Sequence, residues 1–433
     1  MKSSRISGFY RLSIDERIDK LAETYELTRD EIDSLRSQGA LELAQADKMI
    51  ENAVGIYSLP IGVALNFLIN EKEYIVPMAI EEPSVVASCS FMAKLVRESG
   101  GFRAGSTRRE MIGQIQVIGC ADFAAAREAL LEAREELLAI ANAFAPRMVQ
   151  RGGGARSLDV RILNDNPRSS YSTMLVMHLN VDTQDAMGAN TINTMVEGLA
   201  PRIEELTGGK VLLRILSNFT DHCLAWATCR IPPHVLQTAE HSGEQVVDGI
   251  VKAYEFAASD IYRAVTNNKG VMNGIDAVVI ATGNDWRAIE AGAHAWAARE
   301  GHYAPMARWS KDAEGCLVGE IELPMPVGIV GGSIQLHPMA QVALKFLRVR
   351  TARELAEVTV AVGLAQNMAA LRALATVGIQ RGHMALHARS VAVTAGARGE
   401  WVDRIAERLV AEQDIKVPRA IELLLEMQAG DAR

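Results

Sequence analysis

The sequence predicts an α+β protein in which a ferredoxin-like unit interrupts a larger, helix-rich domain. Three observations carry that expectation. A β-α-β-β-α-β order of patterns runs through residues 109–217 with no long segment left over. Long helical patterns dominate the chain after residue 218. At 433 residues, finally, the chain exceeds what one small core organises, so two or three domains are expected.

The elements follow in order. The first fifty or so residues read as charged helices. Residues 51–90 differ: in ENAVGIYSLPIGVALNFLINEKEYIVPMAIEEPSVVASCS, glycines, prolines and apolar runs crowd together with few charges. That is the loop-and-strand texture in which binding residues tend to sit. MAKLVRESGG closes a short helix on a glycine cap. In the interrupting unit, QIQVIG (114–119) reads as a strand and DFAAAREALLEAREELLAIANAF (122–144) as one long amphipathic helix. LDVRIL and STMLVMHLNV read as strands, and a helix over roughly 190–206 follows the turn DAMGAN. GGKVLLRIL is the last strand. Beyond it come a helix over QVVDGIVKAYEFAASDIYRAVT, a loop at NNKGVMNG, a buried strand DAVVIAT and a loop GNDWRA. A long helix over about 352–375 precedes GIQRG and the C-terminal helices.

Composition narrows the function classes. Apolar residues make up 49% and charged residues 23%, ordinary values for a soluble globular protein. A formal charge of −8 and a pI near 5.7 argue against a nucleic-acid partner. No apolar run approaches the roughly 18 residues of a membrane span, and the N-terminus has no signal-peptide core. The five cysteines are scattered without a C-x-x-C pair, which fits free thiols in a reducing cytoplasm. A cytoplasmic protein without membrane contact is expected.

Four constellations could carry chemistry. No G-x-G-x-x-G stands between a strand and a helix and no P-loop occurs, so the standard nucleotide fingerprints fail. DAMGAN (Asp185, Ala186, Met187, Gly188, Ala189, Asn190) nevertheless ends a strand and opens a helix with small residues. Such a helix N-terminus attracts a pyrophosphate, although standing alone the hexapeptide is better explained as an ordinary tight strand-to-helix turn. Lys269 lies in an Asn- and Gly-rich stretch, with Asp285 sixteen residues later in GND. A lysine beside an aspartate stays cationic and polarises a carbonyl, while a surface ion pair is the plainer reading. Glu81 and Glu82 follow the apolar VPMAI, and at most one of them faces a given pocket. A buried one serves as an acid; a solvated turn is equally open. His383 and His387 stand one helical turn apart, as in some zinc sites. Met384, however, occupies the position where a zincin carries its glutamate base, and no third ligand is near. The other histidines (His178, His222, His234, His241, His294, His302 and His337) show no ligand spacing.

Taken together, these segments resemble hydroxymethylglutaryl-CoA reductase in its soluble bacterial class II form. The likeness rests on ENAVG with LPIGVALNF, EEPSVVAS, DAMGAN with TINTMVE, RILSN, NNKGVMNG, GNDWRAIE and GIQRGHMALHAR, in that order along nearly the whole chain. The resemblance implies a helix-rich substrate- and CoA-binding, dimerising domain over 1–108 and 218–376, an inserted NAD(P)-binding domain over 109–217, and a mobile C-terminal helical flap over 377–433. It implies conversion of hydroxymethylglutaryl-CoA to mevalonate and CoA, or the reverse, through hemithioacetal and mevaldehyde stages, without a metal. Lys269 matches the lysine that holds the thioester carbonyl, Glu82 the acid/base, and Asp285 the carboxylate that tunes and positions Lys269. His383 matches the acid for departing CoA thiolate. Ser84, Asn218, Arg263 and Asn273 match positions around the acyl end, and Arg11 and His387 match CoA contacts. DAMGAN matches the cofactor turn. The class favours NAD(H), but AFAPRMVQRGGG carries Arg147 and Arg151 where NAD-preferring members carry an acid, which puts NAD preference in question and leaves NADP(H) possible. A homodimer or a higher assembly of dimers follows from the family's site, which spans two subunits. The rival readings are a zinc hydrolase using His383 and His387, and a non-catalytic CoA-thioester-binding protein.

Overall fold

The computed structural model describes residues 3–37, 41–164, 173–376 and 378–431, with the backbone alone described at 333, 379–386 and 429–431. Among the described residues, ten strands form three sheets. β1 (Ile61–Ile69) and β2 (Lys72–Ala79) make an antiparallel hairpin, with a register shift between Ala64 and Phe67. β3 (Arg103–Ser106) is the edge of a second sheet. The chain then leaves that sheet to build a third from β4 (Glu110–Ile118), β5 (Gly154–Leu163), β6 (Met174–Asp182) and β7 (Lys210–Leu216). It re-enters the second sheet on β8 (Leu224–Ile231), which pairs antiparallel with β3, and completes it with β9 (Ala307–Lys311) and β10 (Leu317–Pro324).

The third sheet has the order β5-β6-β4-β7, antiparallel throughout, which is the ferredoxin-like arrangement. Its apolar core draws only on residues 111–216. The expected single helix over 122–144 is instead two, Phe123–Glu132 and Arg134–Ala143, bent at Ala133. Leu130 and Leu137, seven residues apart and fully buried, keep both halves facing the same core.

The larger core is organised by two long helices, Ile261–Ala281 and Ala352–Ala375, packed on each other. Here the sequence expectation needs correction. NNKGVMNG is not a loop and DAVVIAT is not a strand; the first lies inside the helix Ile261–Ala281 and the second forms its end, with Thr282 as the cap. Gly274 serves the helix crossing. A Cβ at Gly274 would sit 2.9 Å from Gln366 Cβ and 3.0 Å from the Val362 carbonyl oxygen, so only hydrogen allows the close approach. Ala352–Ala375 also corrects the expectation of no span-length apolar segment. Among the described residues it alone has the length and hydropathy of a membrane span, yet 72% of its most apolar window is buried inside the protein. A helix apolar all round belongs in a core.

A smaller apolar cluster joins the C-terminal helices Ile379–Thr394, Glu400–Glu412 and Val417–Asp431.

Candidate active site

The site grows from the end of β2. That strand packs along Ile261–Ala281, and the chain beyond it turns through Glu81–Glu82–Pro83 to open the helix Val85–Glu98 at Ser84. Ser84 takes φ 70°, a left-handed conformation uncommon for a residue with a side chain. The turn carries Glu82 onto the Lys269 helix: Lys269 Nζ donates to Glu82 Oε2 at 2.5 Å. Both side chains remain accessible, at 58% and 36%. An ion pair this exposed contributes little to stability, so the approach is no structural necessity. Glu81 is exposed.

Lys269 is held from behind by buried amides. Trp309 Nε1 donates to Asn367 Oδ1 at 2.7 Å, and Asn367 Nδ2 donates to Asn267 Oδ1 at 3.0 Å. Asn268 donates to the Ala304 carbonyl at 2.9 Å and accepts from Met306 N–H at 2.8 Å. Asn268 and Asn367 are fully buried. Each amide removed would leave its partners unsatisfied, at about 1–3 kcal/mol apiece. Sequence reasoning missed this ladder; the only trace was two asparagines on an otherwise apolar helix face. Asn273 lies one turn beyond Lys269, on the same side. Arg263 is half buried, and burial pushes its guanidinium below its ordinary value.

Asp285 follows the same helix after the turn Thr282–Asn284. Its Oδ1 accepts the N–H groups of Arg287 at 3.1 Å and Ala288 at 3.2 Å, capping the helix Trp286–Ala297, and pairs with Arg287 at 3.3 Å. Among the described residues no ion pair within 4 Å joins Lys269 to Asp285. The carboxylate that meets the lysine here is Glu82. Asn218 is exposed, and its carbonyl oxygen lies against Gly292 on the helix that Asp285 caps. Arg11 is exposed near the N-terminus, where its guanidinium meets Tyr10. His387 is exposed on the helix Ile379–Thr394. The side chain of His383, on that helix, lies outside the described residues.

The turn Asp185–Asn190 is tied to this centre by the segment after β10. Gly328 N–H donates to Asn284 Oδ1 at 2.6 Å, and Asn284 Nδ2 donates to the Gly328 carbonyl at 3.0 Å. A Cβ on Gly328 would lie 2.7 Å from Met187 N, so the same glycine also touches the turn. Buried Arg109 clasps it further, donating to the carbonyls of Gln184 at 2.6 Å, Ala186 at 3.3 Å and Val327. Ile329 N–H donates to the Asp185 carbonyl, and Asp185 Oδ1 accepts from Ala352 N–H at 2.8 Å, the start of the central helix. Asn284, Gly328 and Arg109 were absent from the sequence reading.

Three features suit the turn to a dinucleotide. Gly188 caps Ala189–Thr207 at φ 83° with no side chain on the helix N-terminus. The Gly152–Gly154 turn adjoins it through Gln184, which donates to the Gly152 carbonyl at 3.5 Å. Arg147 and Arg151, just before that turn, are both exposed. Backbone donors and nearby cations are what a pyrophosphate or phosphate requires.

Comparison with known proteins places the chain in a family. The family model described as hydroxymethylglutaryl-coenzyme A reductase matches residues 13–388. A 3-hydroxy-3-methylglutaryl-coenzyme A reductase of Archaeoglobus fulgidus is 51% identical over 422 residues, covering 98% of this chain and 94% of the relative. A probable enzyme of the same name from Borreliella burgdorferi is 34% identical, covering 99% and 94%. The solved class II reductase of Streptococcus pneumoniae, bound to NADPH in open conformations, superposes with a TM-score of 0.80 at 44% identity, covering 96% of this chain and all of that one.

Proposed function

The chain belongs to the hydroxymethylglutaryl-coenzyme A reductase family, an oxidoreductase family, and from that premise we propose how its own residues interconvert hydroxymethylglutaryl-CoA and mevalonate plus CoA. The observation that carries the reading is the Lys269–Glu82 contact. A carbonyl that accepts hydride becomes an alkoxide and needs a cation and a proton beside it. Lys269 supplies the cation against the thioester oxygen and again against the aldehyde-level oxygen. Glu82, already on the ammonium, supplies the proton and recovers it in the reverse direction. Asp285 is the second carboxylate of the centre. His383 protonates the departing CoA thiolate, a task for a group that titrates near neutral pH. Ser84, Asn218, Arg263 and Asn273 hold the acyl end, and Arg11 and His387 contact CoA.

Asp185–Asn190, with Gly152–Gly154 beside it, holds the nicotinamide dinucleotide, which when bound supplies the hydride. Arg147 and Arg151 receive a 2′-phosphate, so NADP(H) is accepted; the Streptococcus pneumoniae relative, which binds NADPH, supports this. The ferredoxin-like unit 109–217 is the cofactor domain, 1–108 with 218–376 the substrate domain, and 377–433 the flap. A homodimer completes the site. Phe256, Ile261, Tyr262 and Val265, all exposed, offer a surface for a second copy.

The deciding experiment follows absorbance at 340 nm with hydroxymethylglutaryl-CoA and each reduced cofactor, and with mevalonate, CoA and each oxidised one. Turnover is expected in both directions, and Lys269→Ala should abolish it; no turnover with any pair overturns the reading. Replacing Arg147 and Arg151 together by Ala should raise KM for NADPH more than for NADH. An equal change removes them from the cofactor site.

A further inference from the structure

Asp276, Glu290, His294 and Tyr303 hold none of the roles assigned above, yet they form a connected polar chain. Asp276 lies on Ile261–Ala281 seven residues after Lys269, two turns along the same side, with Asn273 between. It is partly buried, with its Oδ1 enclosed and unpartnered among the described residues, and its carboxyl interacts with that of Glu290, on the neighbouring helix that Asp285 caps. Glu290 Oε2 meets His294 Nε2 at 2.6 Å. His294 Nδ1 meets Tyr303 Oη at 2.7 Å, with the two rings stacked at 5.9 Å. Asn268, the residue before Lys269, donates to the carbonyl of Ala304, the residue after Tyr303, at 2.9 Å. The chain therefore leaves the Lys269 helix at Asp276 and returns to it at Asn268.

One assignment of donors satisfies every link. Asn268 Nδ2 donates to the Ala304 carbonyl, the Tyr303 hydroxyl donates to His294 Nδ1, and His294 Nε2–H donates to Glu290. Glu290 also accepts the proton of Asp276, because two carboxyls in contact do not both stay ionised. Burial, reinforced by the Glu290 carboxylate, pushes the Asp276 carboxyl up to about 9, while the His294 hydrogen bond holds Glu290 below its usual range. Among the described residues the titratable groups bearing on Asp276 are Glu290 and, behind it, His294.

We propose that Asp276 is a positioning residue for Lys269. Through Glu290, His294, Tyr303 and the Ala304 carbonyl bonded to Asn268 it fixes the helix carrying the cation against the helix capped by Asp285, and so sets the lysine's distance from the substrate carbonyl. This rests on the role of Lys269 proposed above.

Two variants test it. Asp276→Ala breaks the chain and should lower kcat at pH 7 by roughly tenfold or more, with KM for the CoA thioester little changed, since small misplacements cost up to about a hundredfold. Asp276→Asn keeps size, neutrality and a donor, and should rescue most of that loss. A second readout needs no turnover. Wild type takes up a proton at Asp276 on folding, so that contribution to stability falls as pH rises from the ordinary carboxylate range towards about 9. The Tm of Asp276→Asn, relative to wild type, should therefore climb from pH 5 to pH 9. An Asn variant as impaired as the Ala variant, an unimpaired Ala variant, or a Tm difference independent of pH overturns the proposal. Should Lys269→Ala retain turnover, the role of Lys269 fails instead, and the Tm series still reports on the Asp276 proton.

Discussion

Two turns open helices beside the proposed centre, and they treat the helix N-terminus in opposite ways. At Gly283–Asp285 the cap is a carboxylate, whose oxygen takes two first-turn N–H groups of Trp286–Ala297. At Asp185–Ala189 the cap is Gly188, and no side chain of the cap residue occupies the donors of Ala189–Thr207. Both helices present the same partial positive charge at this end. The first spends it on its own aspartate and fixes a carboxylate in place. The second leaves it for an anion from outside. A single glycine, Gly328, lies between the two turns, bonded to Asn284 on one side and packed on Met187 on the other.

The largest effect should come from breaking that link. In Gly328→Ala the new methyl would lie 2.7 Å from Met187 N and 3.1 Å from Ala186 C, backbone atoms that cannot rotate away. Overpacking of this kind costs about 1–3 kcal/mol. Thermal melting should show the loss, and KM for cofactor and for CoA thioester should rise together. A change in one alone would mean that the two turns are not coupled through Gly328.

Gly188→Ala is the narrower test. Its Cβ would lie 2.3 Å from Thr183 Cγ2, at a φ of +83° that a side chain rarely adopts. The cofactor KM should rise severalfold with the substrate KM unchanged, and adding Thr183→Ser, which removes the obstructing methyl, should recover part of it. Equal effects on both ligands would place Gly188 outside the cofactor turn.

The smallest expected effect separates capping from chemistry at Asp285. Asp285→Ser retains a capping oxygen and should melt close to wild type, whereas Asp285→Ala should lose about 0.5–2 kcal/mol. Both should lose turnover, because neither carries a carboxylate. A Ser variant with wild-type kcat would leave Asp285 as a cap only.

The two turns also differed in how well they could be read from sequence. DAMGAN was legible because its signals are local: a strand ends, a glycine caps, and a helix begins within six residues. The Lys269 region was not. Gly270 and Gly274 carry the usual mark of a loop, but both lie in a helix interior, and Gly274 does so because another helix, about ninety residues later, needs its side open. DAVVIAT had the length and β-branching of a strand, which an apolar run that short cannot distinguish from a buried helical segment. The clamp between Asn284 and Gly328 spans 44 residues and leaves no periodic trace. His294 looked like any unassigned histidine, since its partners come together only when two helices and Tyr303 do.

The central helix Ala352–Ala375 has a consequence for synthesis. Its packing partners include Val85–Glu98, Gly243–Ser259, Ile261–Ala281 and β8, all of which precede it in the chain. The β4–β7 sheet has all its strands once residue 216 has been made, whereas the larger core lacks its middle until residue 375. The most membrane-like segment is thus translated after these partners, so the groove that takes it can be assembled before the segment leaves the ribosome.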